Sequence, residues 1–158
     1  MHKVLQFLLC LLSPFAVGAI SGIATANNIS TWYVHLNKPS FNPPNYLFGP
    51  VWTLLYLLMG ISFNLILNSS TKTKRANAIG IFWFQLFLNF CWIFLFFQLH
   101  LLGLALFEIG LMWMSILLMI TSFYTLNRTA AWLQLPYLLW VSFAGILNAS
   151  IWYLNSTH

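Results

Sequence analysis

Acidic residues are almost missing from this chain. Glu108 is the only one among 158 residues, against six lysines and arginines. Charged residues of both signs make up 4% of the sequence, where a soluble domain uses roughly 25%. That shortage excludes a water-soluble globular domain. A lone acid also excludes the paired carboxylates of general acid–base hydrolysis. Cysteine is scarce as well. Cys10 and Cys91 both lie inside apolar runs and read as small hydrophobes, not as a disulfide framework. There is no glycine-rich phosphate loop and no metal-ligand spacing. His35, His100 and His158 fall on one expected side of the membrane but are isolated in sequence, so no metal site is expected. The net charge of +5 does not indicate nucleic acid, because the basic residues are few and sit at the ends of apolar runs. Internal repeats, low-complexity tracts and linkers are absent.

What is present is apolar length. Hydrophobic residues make up 61% of the chain, and they fall into five runs at about 4–26, 48–67, 78–98, 101–126 and 130–154. Each is near the roughly 20 residues that span a bilayer as a helix. Lipid leaves backbone groups no other partners, and a barrel would show shorter alternating runs. The expectation is one all-α membrane domain, a five-helix bundle. Lys3 and the small residues Ala24-Thr25-Ala26 resemble the ends of a signal peptide. The long apolar stretch with Gly18 and Gly22 reads instead as a span built for close helix packing. Lys3, Lys72, Lys74, Arg75 and Arg128 fall on one side of a five-span topology and Lys38 on the other. The positive-inside rule then puts the N-terminus inside and the C-terminus outside.

The first connection, 27–46, is long and carries Pro39, Pro43 and Pro44 beside Trp32, Tyr33 and Phe41. Prolines forbid a continuous helix there, and large aromatics would not stay free in water. The segment reads as a lid over the outer mouth of the bundle, with an interfacial anchor as the alternative. Pro50 suits the first turn of the second helix. On a 3.6-residue wheel, Trp52, Tyr56, Met59 and Phe63 share a stripe. So do Gln85, Asn89, Trp92 and Phe96; Glu108, Met112 and Ser115; and Trp140, Ala144, Leu147 and Ile151. Polar groups are costly in lipid, so these stripes should face inward, as plain packing or as the wall of an aromatic cavity. Glu108 would cost about 2.5–3.5 kcal/mol at a helix centre if ionised. A protonated carboxyl bonded to another helix is expected, with a proton-coupled role as the alternative.

Trp32-Tyr33, Leu36, Lys38-Pro39-Ser40-Phe41, Pro43-Pro44, Phe48-Gly49-Pro50-Val51-Trp52-Thr53 and Leu55-Tyr56 resemble the signature of the tryptophan-rich sensory protein family, also called the translocator protein or peripheral benzodiazepine receptor family. The likeness continues, in order, through Asn89, Trp92, Phe96-Phe97, Glu108, Trp113, Pro136-Tyr137, Trp140, Phe143-Ala144 and Leu147-Asn148. It implies a five-helix bundle, often a homodimer, with a pocket beneath the first loop. It implies porphyrin or haem as ligand, with no required cofactor, and synthetic isoquinoline carboxamides and benzodiazepines as further ligands. The function implied is a tetrapyrrole sensor, carrier or regulator. The alternative is light- and oxygen-dependent breakdown of protoporphyrin, in which Trp52 and Trp140 would act. The expected ligand site comprises Trp32, Phe41, Trp52, Tyr56, Gln85, Asn89, Trp92, Phe96, Glu108, Trp140, Ala144 and Leu147. The animal cholesterol motif needs Tyr then Arg where this chain has Ala149 and Tyr153, so cholesterol is not expected at that position. With the charge asymmetry, this points to a bacterial cytoplasmic membrane. Ala76 and Gly80 are the small-residue pair expected at the dimer interface, with Gly18 and Gly22 as the rival pair.

Overall fold

The structure, a computed structural model, describes residues 2–156. Helix α1 spans His2–Thr31, α2 Asn45–Leu67, α3 Lys72–Ile93, α4 Leu102–Tyr124, α5 Arg128–Trp132 and α6 Leu135–Ser156. Five helical stretches are long and apolar enough to cross a bilayer, and α5 and α6 together make the fifth. His158 lies outside the described residues.

The elements end where their chemistry changes. Helix α1 continues past the expected boundary at Ala26 to Thr31, so the first connection shortens to 32–44. Asn28, Ser30 and Thr31 extend it because their side chains return to the backbone. Ser30 and Thr31 hydroxyls both donate to the Asn27 carbonyl. Pro14 lies inside α1 and supplies no amide for the Cys10 carbonyl. The Ser13 hydroxyl donates to that carbonyl at 3.2 Å, which lets the helix run on. Helix α2 starts one turn earlier than expected, with Pro44 as its N-cap residue, so Pro50 sits in the second turn.

The fifth span is broken. Pro136 has no amide to donate back to Trp132, so the chain stops at Trp132 and restarts at Leu135 with the proline in the new first turn. The short α5 is held from both sides. Asn127 accepts from the Ala130 amide, and Ser62 of α2 donates to the Ala130 carbonyl at 2.7 Å. Helix α3 ends in a π turn, Phe94–Gln98. His100 then reverses the chain with φ of 57°, a left-handed conformation that costs a non-glycine residue about 1 kcal/mol or more.

Two glycines set how α1 meets α2. A methyl group on Gly60 would strike the backbone of Leu11 and the Cys10 carbonyl, and one on Gly18 would strike the Tyr56 ring. Close helix approach through small residues replaces the hydrophobic drive that lipid does not supply. Gly18 is therefore used within the protomer. Ala76 and Gly80, by contrast, are exposed, and a methyl group on Gly80 would meet nothing. The core follows the expected stripes. Met59, Phe82, Met112, Ile116, Met119 and Phe123 are buried between α2, α3 and α4, and Phe63 stacks on Phe82 at 4.1 Å.

Candidate functional site

A cavity of about 530 Å³ opens among α1, α2, the end of α3 and α6. That volume falls in the range of small-molecule sites. Aromatic rings make most of its walls: Trp52 and Tyr56 from α2, Trp92 from α3, Phe96 and Phe97 from the π turn, and Trp140 from α6. Trp52 stacks on Tyr56 at 5.4 Å and meets Tyr137 edge-on at 6.2 Å. Trp140 packs against Phe48 at 5.9 Å and Phe143 at 5.5 Å. Phe96 and Phe97 are consecutive, yet both line the cavity. The π turn makes that possible by widening the helix where it occurs.

The polar atoms of Tyr56, Trp92 and Asn148 in the wall are tied down. Tyr56 donates to Asn89 Oδ1 at 3.0 Å, and Asn89 Nδ2 donates to the Tyr137 hydroxyl at 3.3 Å. Tyr137 in turn donates toward Met112 Sδ at 3.5 Å. This buried chain joins α2, α3, α6 and α4 directly behind the wall. A second chain runs from Trp92 Nε1 to Asn148 Oδ1 at 3.1 Å, then from Asn148 Nδ2 to the Leu102 carbonyl at 2.9 Å. Each bond is worth about 1 kcal/mol net, and leaving one partner buried and unpaired costs more. The network therefore holds the Tyr56, Tyr137 and Trp92 rings in fixed orientations.

The first connection closes onto this end of the bundle. Tyr33 is buried, lines the cavity and donates to Asn42 Oδ1 at 2.8 Å. Burial pushes its hydroxyl up to about 12, so it remains a donor through the neutral range. Phe41 reaches Phe143 at 6.3 Å. Asn37 and Asn155 exchange two hydrogen bonds, from the Asn37 amide at 3.0 Å and to its carbonyl at 2.9 Å. These contacts pin the segment to α6. Gln98 donates to the Ala24 carbonyl and joins the π turn to α1.

Of the twelve expected ligand residues, Trp52, Tyr56, Trp92, Phe96, Trp140, Ala144 and Leu147 line the cavity together. The other five do not. Trp32 turns away and stacks on His100 at 4.0 Å, because the left-handed turn at His100 presents its imidazole there. Phe41 packs on the outside of α6 and is about half exposed, at 47%. Asn89 stands behind the wall as the partner of Tyr56. Gln85, one turn below it on α3, is fully buried beneath the cavity. Glu108 is buried in α4, and neither of its carboxyl oxygens has a hydrogen-bond partner among the described residues. The expected bond from Glu108 to another helix is thus not made. Tyr33, Phe48, Phe97 and Asn148 are wall residues that the helical wheels did not select, as are Phe15, Gly18, Gly22 and Thr25 of α1. Tyr33, Phe48, Phe97 and Asn148 did stand in the family-like strings, which was the available signal.

An all-helical bundle with five spans, a buried polar network and an aromatic cavity at one end defines an integral membrane protein with an internal cavity of small-molecule size. Comparison with known proteins makes this specific. The TspO/MBR family profile matches residues 10–154, and the chain belongs to that family. It is 38% identical over 154 residues to tryptophan-rich protein TspO of Chlorobaculum tepidum, covering 97% of this chain and 98% of the relative. It is 39% identical over 155 residues to the protein of the same name from Archaeoglobus fulgidus, covering 98% and 99%. It is 36% identical over 124 residues to the human translocator protein, covering 77% and 73%.

Proposed function

We propose that this protein binds a flat tetrapyrrole, protoporphyrin or haem, in the aromatic cavity and acts as a sensor or carrier of it in the membrane. One observation carries the reading. Trp52, Tyr56, Trp92, Phe96 and Trp140 converge on one cavity, and the polar atoms of Tyr56 and Trp92 are committed to hydrogen bonds behind its wall. What faces the ligand is ring surface, and stacked aromatic pairs contribute about 0.5–1.5 kcal/mol each beyond area burial. The names of the relatives, tryptophan-rich sensory protein and translocator protein, support a sensing or transport role. The test is a protoporphyrin titration of the purified protein by tryptophan fluorescence quenching. Saturable quenching is expected; its absence overturns the reading.

A second reading is light- and oxygen-dependent breakdown of the bound porphyrin. Two oxidisable indoles, Trp52 and Trp140, share the wall and favour it. Incubation in light against dark, followed by the porphyrin absorbance bands, separates the two.

Under this proposal segment 37–42 gates the ligand, because Asn37 and Phe41 are its attachments to α6. Deleting 37–42 is expected to speed dissociation several-fold with little change in association. Unchanged dissociation rates, measured by stopped-flow, would reduce the segment to an anchor. The orientation proposed is N-terminus inside and C-terminus outside, in a bacterial cytoplasmic membrane.

Homodimerisation is proposed through α3, where Ala76 and Gly80 present an open small-residue face beside exposed Phe84 and Phe87. Gly80→Leu is expected to shift the protein toward monomer in mild detergent while leaving ligand affinity intact. A Gly80→Leu chain that stays dimeric on size-exclusion with light scattering would rule out this face.

A further inference from the structure

A second depression, of about 610 Å³, lies on the outside of the bundle between α1, α2 and α3. Leu5, Leu9, Leu12, Phe63, Leu67 and Trp83 form most of its walls. Gln6, one of its few polar members, already bonds Asn64 across it at 3.4 Å. The surface left over is suited to hydrocarbon.

The end of this groove is basic. Lys3 stands two residues before Leu5 on α1. Arg75 donates to the carbonyls of Leu67, itself a wall residue, and Ser69, both at 3.0 Å. Lys72 and Lys74 occupy the same first turn of α3. Lys3, Lys72 and Lys74 are exposed and have no hydrogen bond or ion pair among the described residues. No acid balances them, since Glu108 is buried in α4. Positive charge in the first turn of a helix also opposes its dipole, which favours an anion there. In the sequence alone, the three cations at 72–75 fall short of the four or more that mark a headgroup-binding cluster. The fold adds Lys3 at the same end of the bundle.

We propose that this groove holds an acyl chain of an anionic phospholipid from the surrounding bilayer, with the phosphate against Lys3, Lys72 and Lys74. Charge complementarity decides the occupant. A zwitterionic lipid offers the same chain and phosphate, but its ammonium group faces the lysines. The site is separate from the aromatic cavity, which no residue of the groove lines.

The experiment uses the full chain, delipidated in mild detergent and titrated with phosphatidylglycerol or phosphatidylcholine of identical chains. Bound lipid is counted by native mass spectrometry. One phosphatidylglycerol per protomer is expected, preferred over phosphatidylcholine by roughly fivefold or more, the factor that about one well-placed lysine supplies. The triple variant Lys3→Gln, Lys72→Gln, Lys74→Gln changes only exposed side chains and should bind the two lipids equally. Phosphatidylglycerol with brominated chains should quench a part of the tryptophan emission that Trp83→Phe removes. Equal binding of the two lipids by the unaltered chain overturns the proposal, as does a preference that survives the triple variant. Trp83-dependent quenching that a sterol abolishes by competition, or that is missing because a second protomer covers the groove, overturns the choice of occupant.

Discussion

A chain carrying Trp52→Phe and Trp140→Phe together is expected to fold normally, bind protoporphyrin about tenfold more weakly and lose most light-dependent breakdown of it. Folding survives for a specific reason. Neither indole N–H is used in a hydrogen bond among the described residues, so the change orphans no buried partner. Phenylalanine keeps an apolar ring against Tyr56 on one side and against Phe48 and Phe143 on the other. What is lost is the larger indole face and its easy oxidation. The affinity loss tests the cavity as the binding site. The photochemical loss tests the second reading, and the two are read independently, by quenching of the remaining tryptophans and by porphyrin absorbance under illumination. Circular dichroism with thermal unfolding in detergent controls for folding. Unchanged turnover in a folded double variant would remove the tryptophans from any photochemistry. Unchanged affinity would move the porphyrin elsewhere.

Much of the architecture was legible because lipid narrows the choices. Five apolar runs of bilayer length can only be helices, and they are. Their boundaries were harder. Thr31, not Ala26, ends α1 because small polar side chains can bond back to helix carbonyls, so polarity alone does not mark a helix end. The break at 133–134 was foreshadowed by Pro136, which stood among the family-like residues but was not used to mark a helix end. The inward stripes were correct in direction: Met59, Phe63, Gln85, Asn89, Met112 and Ser115 are all buried. A helical wheel carries no information on depth, however. It cannot say that the upper part of each stripe would face a cavity and the lower part a packed core. That is why Gln85 and Glu108 were grouped with Trp52 and Trp140 but lie away from the wall. Trp32 shows a different limit. Its partner, His100, is displayed by a backbone reversal on a distant connection that no local pattern announces. Helix α1 was the least legible. It is apolar nearly all round and only 17% of its most apolar window is buried, so periodicity gave it no inner face. Of its wall residues, only Gly18 and Gly22 stood out in the sequence as packing positions, and Phe15 and Thr25 did not.

Gly18→Val is expected to lower stability by about 1–3 kcal/mol and to abolish most porphyrin binding. The position has no room. A methyl group there would already collide with the ring of Tyr56, and the branched side chain adds two more carbons toward the cavity that Gly18 lines. Tyr56 cannot simply swing aside. Its hydroxyl donates to Asn89, and its ring stacks on Trp52 and packs on Phe15 at 6.3 Å. Displacing it would leave Asn89 Oδ1 buried without a donor and tilt one wall of the site. Shortening the obstacle should therefore rescue the substitution. Tyr56→Ala alone is destabilising, since it removes the bond to Asn89 and opens a void. In the double variant the valine fills part of that void, so the combined loss should be smaller than the sum of the two single losses. Thermal unfolding of the four proteins in one detergent measures the coupling, and a quenching titration reports the site. Additive losses, or a Gly18→Val chain that binds porphyrin as well as the parent, would mean that α1 does not pack on Tyr56 as the structure has it. In that case the cavity has one wall fewer than the proposed function requires.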